Sequence, residues 1–239
     1  MRRLELNILD KLKKDFPSEI ELLEHGLNTI VKCDQLLQQT SPLLNKPDLR
    51  NNLLNSNQQD RCYTTHTLLI SHSITFLKAA RLLLLTGYIA PSLSCLRTAF
   101  ESFQNAHICS VSDDQAISLL KGKHLNKKLD TNYPIQLDET TGKEIKRTLA
   151  YYGVHANYEA IETQALYEGS IFIEENRATY EFILLRNIYS FLTIILLLLD
   201  YLLDKQTFLV KELPDAMSLA KTIGRNIQEI GVKLAKLSK

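Results

Sequence analysis

The side chains best suited to chemistry in this chain are Arg97, Glu101, His107, Tyr152, His155 and Asn157. Arg97 and Glu101 stand four residues apart, so on a helix they share one face. They form an exposed ion pair, or a buried one wherever later helices cover that face. His107 falls in line with Leu93, Leu96, Phe100 and Phe103. An imidazole on such a stripe is usually a hydrogen-bonded core residue, and a site residue in a minority of cases. His155 follows Gly153 among Tyr151, Tyr152, Asn157 and Tyr158. An imidazole in a break of that kind can act as acid, base or ligand near neutral pH, or cap a helix. His155 is therefore the candidate catalytic residue, and Arg97, Glu101, His107, Asn157 and Tyr152 are the candidate binding residues. His66 and His72 have no partner visible in the sequence.

Other chemistries find no support. Cys33, Cys62, Cys95 and Cys109 form no C-x-x-C pair and have no histidines at zinc spacing, so they read as small core residues. No glycine-rich phosphate loop, G-x-S-x-G, H-E-x-x-H or paired Glu-x-x-His motif occurs. No metal and no cofactor are expected.

The element that must position these residues is a helical hairpin from Thr64 to Cys109. Its first arm, residues 61–86, is apolar around most of its circumference and should be deeply buried. Gly87 suits a left-handed helix end and Pro91 the first turn of the next helix. The short break makes the arms antiparallel neighbours. The second arm carries the large stripe of Leu93, Leu96, Phe100 and Phe103, and beside it a small one of Cys95, Ala99, Ser102, Ala106 and Cys109. Small residues let a neighbouring helix come close. Ser94, Arg97, Thr98, Glu101, Gln104 and Asn105 form the third face.

Around this hairpin the chain reads as helices. Residues 1–16 carry Leu4, Ile8, Leu9 and Leu12 on one side, and Pro17 ends or resets that helix. Ser18 to Glu21 and Ser112 to Gln115 have the capping-box form. Residues 43–60, rich in Asn and polar groups, read as a loop or linker with one helical turn. The expected organisation is an N-terminal helical hairpin over 1–42, this linker, and a main bundle over 61–239. Residues 121–143 read as a polar, locally basic excursion; 144–151 as helical, resuming through Leu166; and 169–175 as extended. Residues 176–205 are apolar nearly all round, with one polar seam of Arg186, Ser190, Thr193, Asp200 and Asp204. The uncharged run inside is shorter than the ~18–20 residues of a membrane-spanning helix, which points to a core helix. The last helix follows Pro214, has Leu219, Ile223, Ile227, Ile230, Leu234 and Leu237 on one face, and offers Glu229–Lys233 as an i,i+4 pair.

The whole is an all-α, multi-helix bundle built around a long antiparallel helical hairpin. Its 239 residues include only 8 glycines and 6 prolines, which suits long helices. The net charge of +1 gives no global attraction to nucleic acid or membrane. The free cysteines and the charged, amphipathic start MRRLELNILDKLKKDF favour a cytoplasmic setting.

The strings LLLLTGYIAPSLSCLRTAFE and YYGVHANYEA resemble those of helical bacterial and archaeal proteins related to the HEPN superfamily, which includes RNA-cleaving toxins and nucleotidyltransferase partners. The resemblance implies a helical bundle, often dimeric, with a polar pocket near Arg97, Glu101 and His155. The ribonuclease motif of that superfamily is Arg, four to six residues, then His. Here Arg147 and His155 have seven residues between them, and Arg97 and His107 have nine. The first functional expectation is therefore a non-catalytic binding or self-association module, a homodimer or the partner of another protein, with no membrane. The alternative is a HEPN-like RNA-binding or RNA-cleaving protein of a defence or toxin–antitoxin system.

Overall fold

A computed structural model of the chain describes residues 10, 12–123, 125, 149 and 177–237. Among the described residues 87% are helical and none is in a strand. A short helical turn over residues 12–15 bends at Phe16 into α1 (Pro17–Thr40). Pro17 thus starts a helix, where its missing N–H costs nothing. There follow α2 (Leu49–Leu54), α3 (Gln58–Thr86), α4 (Ile89–Val111) and α5 (Asp113–Leu120), then α6 (Arg177–Lys205), α7 (Thr207–Glu212) and α8 (Ala216–Leu237). The segments read from sequence over 126–148 and 150–176 lie outside the described residues.

The antiparallel hairpin is α3 and α4. Gly87 ends α3 with a φ of 97°, and its amide bonds back to the Leu83 and Leu84 carbonyls. A side chain would strain that left-handed turn. The small stripe makes the hairpin tight: Ala99, Ala106 and Cys109 are fully buried, and Ser102 nearly so. Hydroxyls stitch the two arms where the backbones approach. Ser73 donates to the Ala99 carbonyl and Ser92 to the Ala80 carbonyl, both at 2.8 Å. The large stripe of Leu93, Leu96, Phe100 and Phe103 is likewise buried.

On the other side of that stripe lies α6, which packs against α1, α4, α7 and α8. Leu184, Ile188, Phe191, Leu192, Ile195, Leu198 and Leu202 are all fully buried. Gly26 of α1 permits one of these approaches. A Cβ there would sit 2.8 Å from the Ile195 Cγ2, closer than packed carbons come, so a side chain would push α1 off α6. One contiguous apolar core runs from Leu12 to Ile230.

Two local expectations are corrected. Neither Ser18 nor Ser112 makes a capping bond: Ser18 lies inside α1 and donates to the Glu19 carboxylate at 2.8 Å, and Ser112 is the N-cap of α5 without a side-chain bond. The carboxylates inside those strings, Glu19 and Asp113, are engaged across the fold instead. Lys233 bonds the buried Glu19 carboxylate at 3.1 Å rather than Glu229, because tertiary packing brings α8 onto α1. Burial alone would raise the Glu19 carboxyl, but hydrogen bonds from Ser18, a backbone amide and Lys233 hold it below its usual range.

If the large stripe is core, Phe100→Ala should destabilise the chain by about 3–5 kcal/mol in chemical denaturation, the cost of an apolar cavity. A loss below about 1 kcal/mol would contradict the packing of α4 on α6.

Candidate functional site

Arg97 and Glu101 pair with each other: the guanidinium Nε meets the carboxylate at 3.0 Å, and both side chains are about a third exposed, 32% and 37%. With Arg preceding Glu the pair has the less favourable helical order, and solvent screens it. It is worth a few tenths of a kcal/mol. His107 stands about 15 Å further along α4 by helical rise. There its ring meets Tyr201 of α6 edge-on, with centroids 5.8 Å apart. Tyr152, His155 and Asn157 lie outside the described residues.

The structure assembles a different polar cluster at one end of the bundle. The first turns of α3 meet the last turns of α4 and α6 around a cleft of about 490 Å³. Its lining includes Gln58, Cys62, Tyr63 and His66 from α3, Ser110 and Val111 from α4, and Tyr201 and Lys205 from α6. Tyr201 is the hub. His66 lies against one part of its ring at 5.7 Å, Phe103 meets it edge-on at 5.1 Å, and its hydroxyl lies 3.4 Å from the Ser110 hydroxyl. Only 1% of Tyr201 and 2% of His66 is exposed.

Burial decides the charge of these groups. Desolvation, with a smaller contribution from His107, depresses the His66 imidazole to about 4. Burial likewise raises the Tyr201 phenol to about 12 and pushes the Cys62 thiol up, with Asp113 adding to the latter. At neutral pH the cleft floor is therefore uncharged. The His66 Nε2 is sealed from solvent and has no hydrogen-bond partner among the described residues. A buried polar atom left in that state is costly and calls for an explanation.

A clamp fixes the α3 wall. Arg61 directs Nε and Nη2 to the two oxygens of Asp113, at 2.6 and 2.9 Å. Its Nη1 takes the carbonyls of Leu53, Leu54 and Ser56. This satisfies the C-terminal end of α2 and ties α5 to the first turn of α3. The hydrogen bond with Arg61 holds the Asp113 carboxyl below its usual range. Asn57 caps α3 by accepting from the Asp60 amide at 2.9 Å.

The second feature is the outward face of α3. Leu68, His72, Thr75, Ala79, Leu82 and Thr86 recur at alternating spacings of four and three and are half-buried or exposed. Leu69, Phe76 and Leu83 run alongside. None of these residues carries a formal charge, and the exposed Lys78, three residues after Thr75 and four before Leu82, borders the stripe on its other side. By length and composition both α3 and α6 are apolar enough to cross a membrane, a property that the length of the uncharged run did not reveal. They differ in burial: 72% of the most apolar stretch of α6 lies inside the fold, but only 39% of that of α3.

Sequence reasoning missed both features. What these histidines, His66 and His72, meet comes from other helices: His72 Nδ1 bonds the Ser102 hydroxyl of α4 at 2.8 Å, and the His66 ring meets Tyr201 of α6. The alternation of Leu68, Thr75 and Leu82 with His72, Ala79 and Thr86 was legible, but the apolar residues around it hid it. Among the described residues no group of three or more His, Cys, Asp or Glu is placed to hold a metal ion. Comparison with known proteins returns no family model, no curated protein and no solved structure that matches the chain.

The buried neutral His66 carries a pH signature. Its folded value of about 4 lies below the ordinary 6.5, so the unfolded chain binds more protons between those limits. Stability should fall as pH drops from about 6.5 towards 4, by about 3 kcal/mol at most. His66→Gln should flatten this part of the profile in urea denaturation. An unchanged slope in the variant would show that His66 is not the group being protonated.

Proposed function

We propose that this chain is a non-catalytic association module that pairs with a second copy of itself along the outward face of α3. The observation that carries this reading is the mismatch in α3 between composition and burial: only 39% of its most apolar stretch is buried, and Leu69 and Phe76 are covered only in part by the core. Leu82 alone is 60% exposed. A large apolar surface in contact with water is unfavourable, and contiguous patches of this kind mark interfaces.

The spacing favours a helix as the covering element. Alternating steps of four and three form the seam that packs side chains of one helix into the spaces of another. A second copy supplies such a helix through a two-fold axis, with α3 antiparallel to its equivalent. Among the described residues the neighbours meet α3 at its flanks: α1 through Arg81–Glu24 at 2.6 Å, and α4 at the stripe's edge, where His72 reaches Ser102. The RNA-cleaving alternative finds no specific support among the described residues, where Glu101 takes up Arg97.

In sedimentation the chain should be a dimer at tens of micromolar. Leu82→Glu buries a charge twice per interface, and should weaken the dimer by about 100-fold or more while leaving the helical signal intact. A wild-type monomer at that concentration would contradict the proposal. Flotation of the wild type with phosphatidylcholine vesicles would contradict it too, by making α3 a lipid-facing helix.

A further inference from the structure

We infer that the cleft at the end of the bundle binds a small, uncharged, planar nitrogen heterocycle, whose ring lies against Tyr201 and whose nitrogen pairs with His66 Nε2. Three observations select this class. The cleft's volume of about 490 Å³ is that of a small-molecule site, and its walls include the rings of Tyr63, Tyr201 and His66. Flat walls favour a flat ligand, because stacked and edge-on ring contacts both need one.

The charge of the lining excludes ions. Among the described residues no aspartate or glutamate lines the cleft, so a cation finds no counter-charge in that lining. Lys205 is the cationic side chain among the described lining residues; it lies beside Asp204 at 3.4 Å and is half exposed, at the rim rather than the floor. The charged part of an anion seated on the floor would lose its water without gaining a partner.

Polarity excludes a plain hydrocarbon. The sealed Nε2 of His66 has no partner among the described residues, and the Tyr201 hydroxyl reaches only to 3.4 Å from the Ser110 hydroxyl, which itself donates to the His107 carbonyl at 2.7 Å. A ligand nitrogen at the floor supplies the missing bond, and the amides of Gln58, Gln59 and Gln206 can serve its outer edge. Because Nε2 is closed to solvent and Tyr201 is only 1% exposed, binding requires the lining to part. Val111, 68% exposed beside the cleft, gives the ligand an apolar lip to cross. This site is independent of the dimer reading, since it sits at the first turns of α3 and the outward stripe begins beyond it.

The test uses the full chain with benzimidazole as probe, and indene as a control of the same shape without nitrogen. Benzimidazole should shift the His66 ring resonances in NMR saturably, with sub-millimolar affinity, and indene should bind at least tenfold more weakly. His66→Phe, which keeps a ring but removes Nε2, should lose tenfold or more in benzimidazole affinity. Ser110→Ala should lose a few-fold, and Leu82→Glu should bind as the wild type does. The inference is overturned if the His66 resonances show no saturable shift, or if indene binds as well as benzimidazole. The comparison of the two probes on the wild type decides the matter even if His66→Phe fails to fold.

Discussion

Everything in this fold answers to one constraint: α6 is apolar around nearly its whole circumference and has to be enclosed. A helix of that composition has no face to give to water, so it takes neighbours on every side. In this chain α1, α4 and α8 fill the role, and each meets α6 through residues suited to the approach. Gly26 brings the α1 backbone close to Ile195. Phe100 and Phe103 fill the larger gap on the α4 side, and Leu219, Ile223 and Ile230 close the α8 side. The Lys233–Glu19 bond then ties two of the enclosing helices together.

The same constraint locates both features of interest. Enclosing α6 uses one side of α4, and the small stripe on its other side binds α3. That leaves α3 in the outer layer, although its composition is nearly that of a core helix. Its surplus apolar face follows from the order of packing. The cleft arises where the enclosure ends. Near the C-terminal end of α6, Tyr201 is the last large side chain held between the hairpin arms, and the polar residues of three helix ends gather around it. Burial there neutralises the groups that might otherwise have done acid–base chemistry. Imidazole, phenol and thiol are all held uncharged at neutral pH, which suits a site that holds a ligand better than one that moves protons.

How much of this was legible in the sequence depends on the range of the interaction. The all-helical class, the hairpin, its glycine-terminated turn and the burial of its large and small stripes all rest on spacings of three and four and on single-residue backbone preferences. These act within one or two turns. The Arg97–Glu101 pair is equally local. Interactions that join distant helices left no such trace. Glu229 looked like the partner of Lys233 because it is four residues away, but the buried Glu19 is the stronger competitor once α8 lies on α1. Ser112 looked like the start of a capping box, but its hydroxyl makes no cap bond, and the Asp113 carboxylate beside it is held by Arg61 from α3. The burial of α3 was overestimated for a related reason. Hydropathy reports what a helix tolerates, and only the packing shows which faces have been supplied with neighbours.

The central claim is that the outward stripe of α3 is an interface with a second copy. It is tested most directly by pulsed electron paramagnetic resonance on a spin label at Ala79, mid-stripe, in a Cys95→Ser background where Cys33, Cys62 and Cys109 are buried. Paired helices lie about 8–10 Å apart axis to axis, so two labels on facing α3 helices should give a defined distance below about 30 Å. The account predicts that distance. A signal with no dipolar modulation above background, or only distances far beyond that limit, would contradict it.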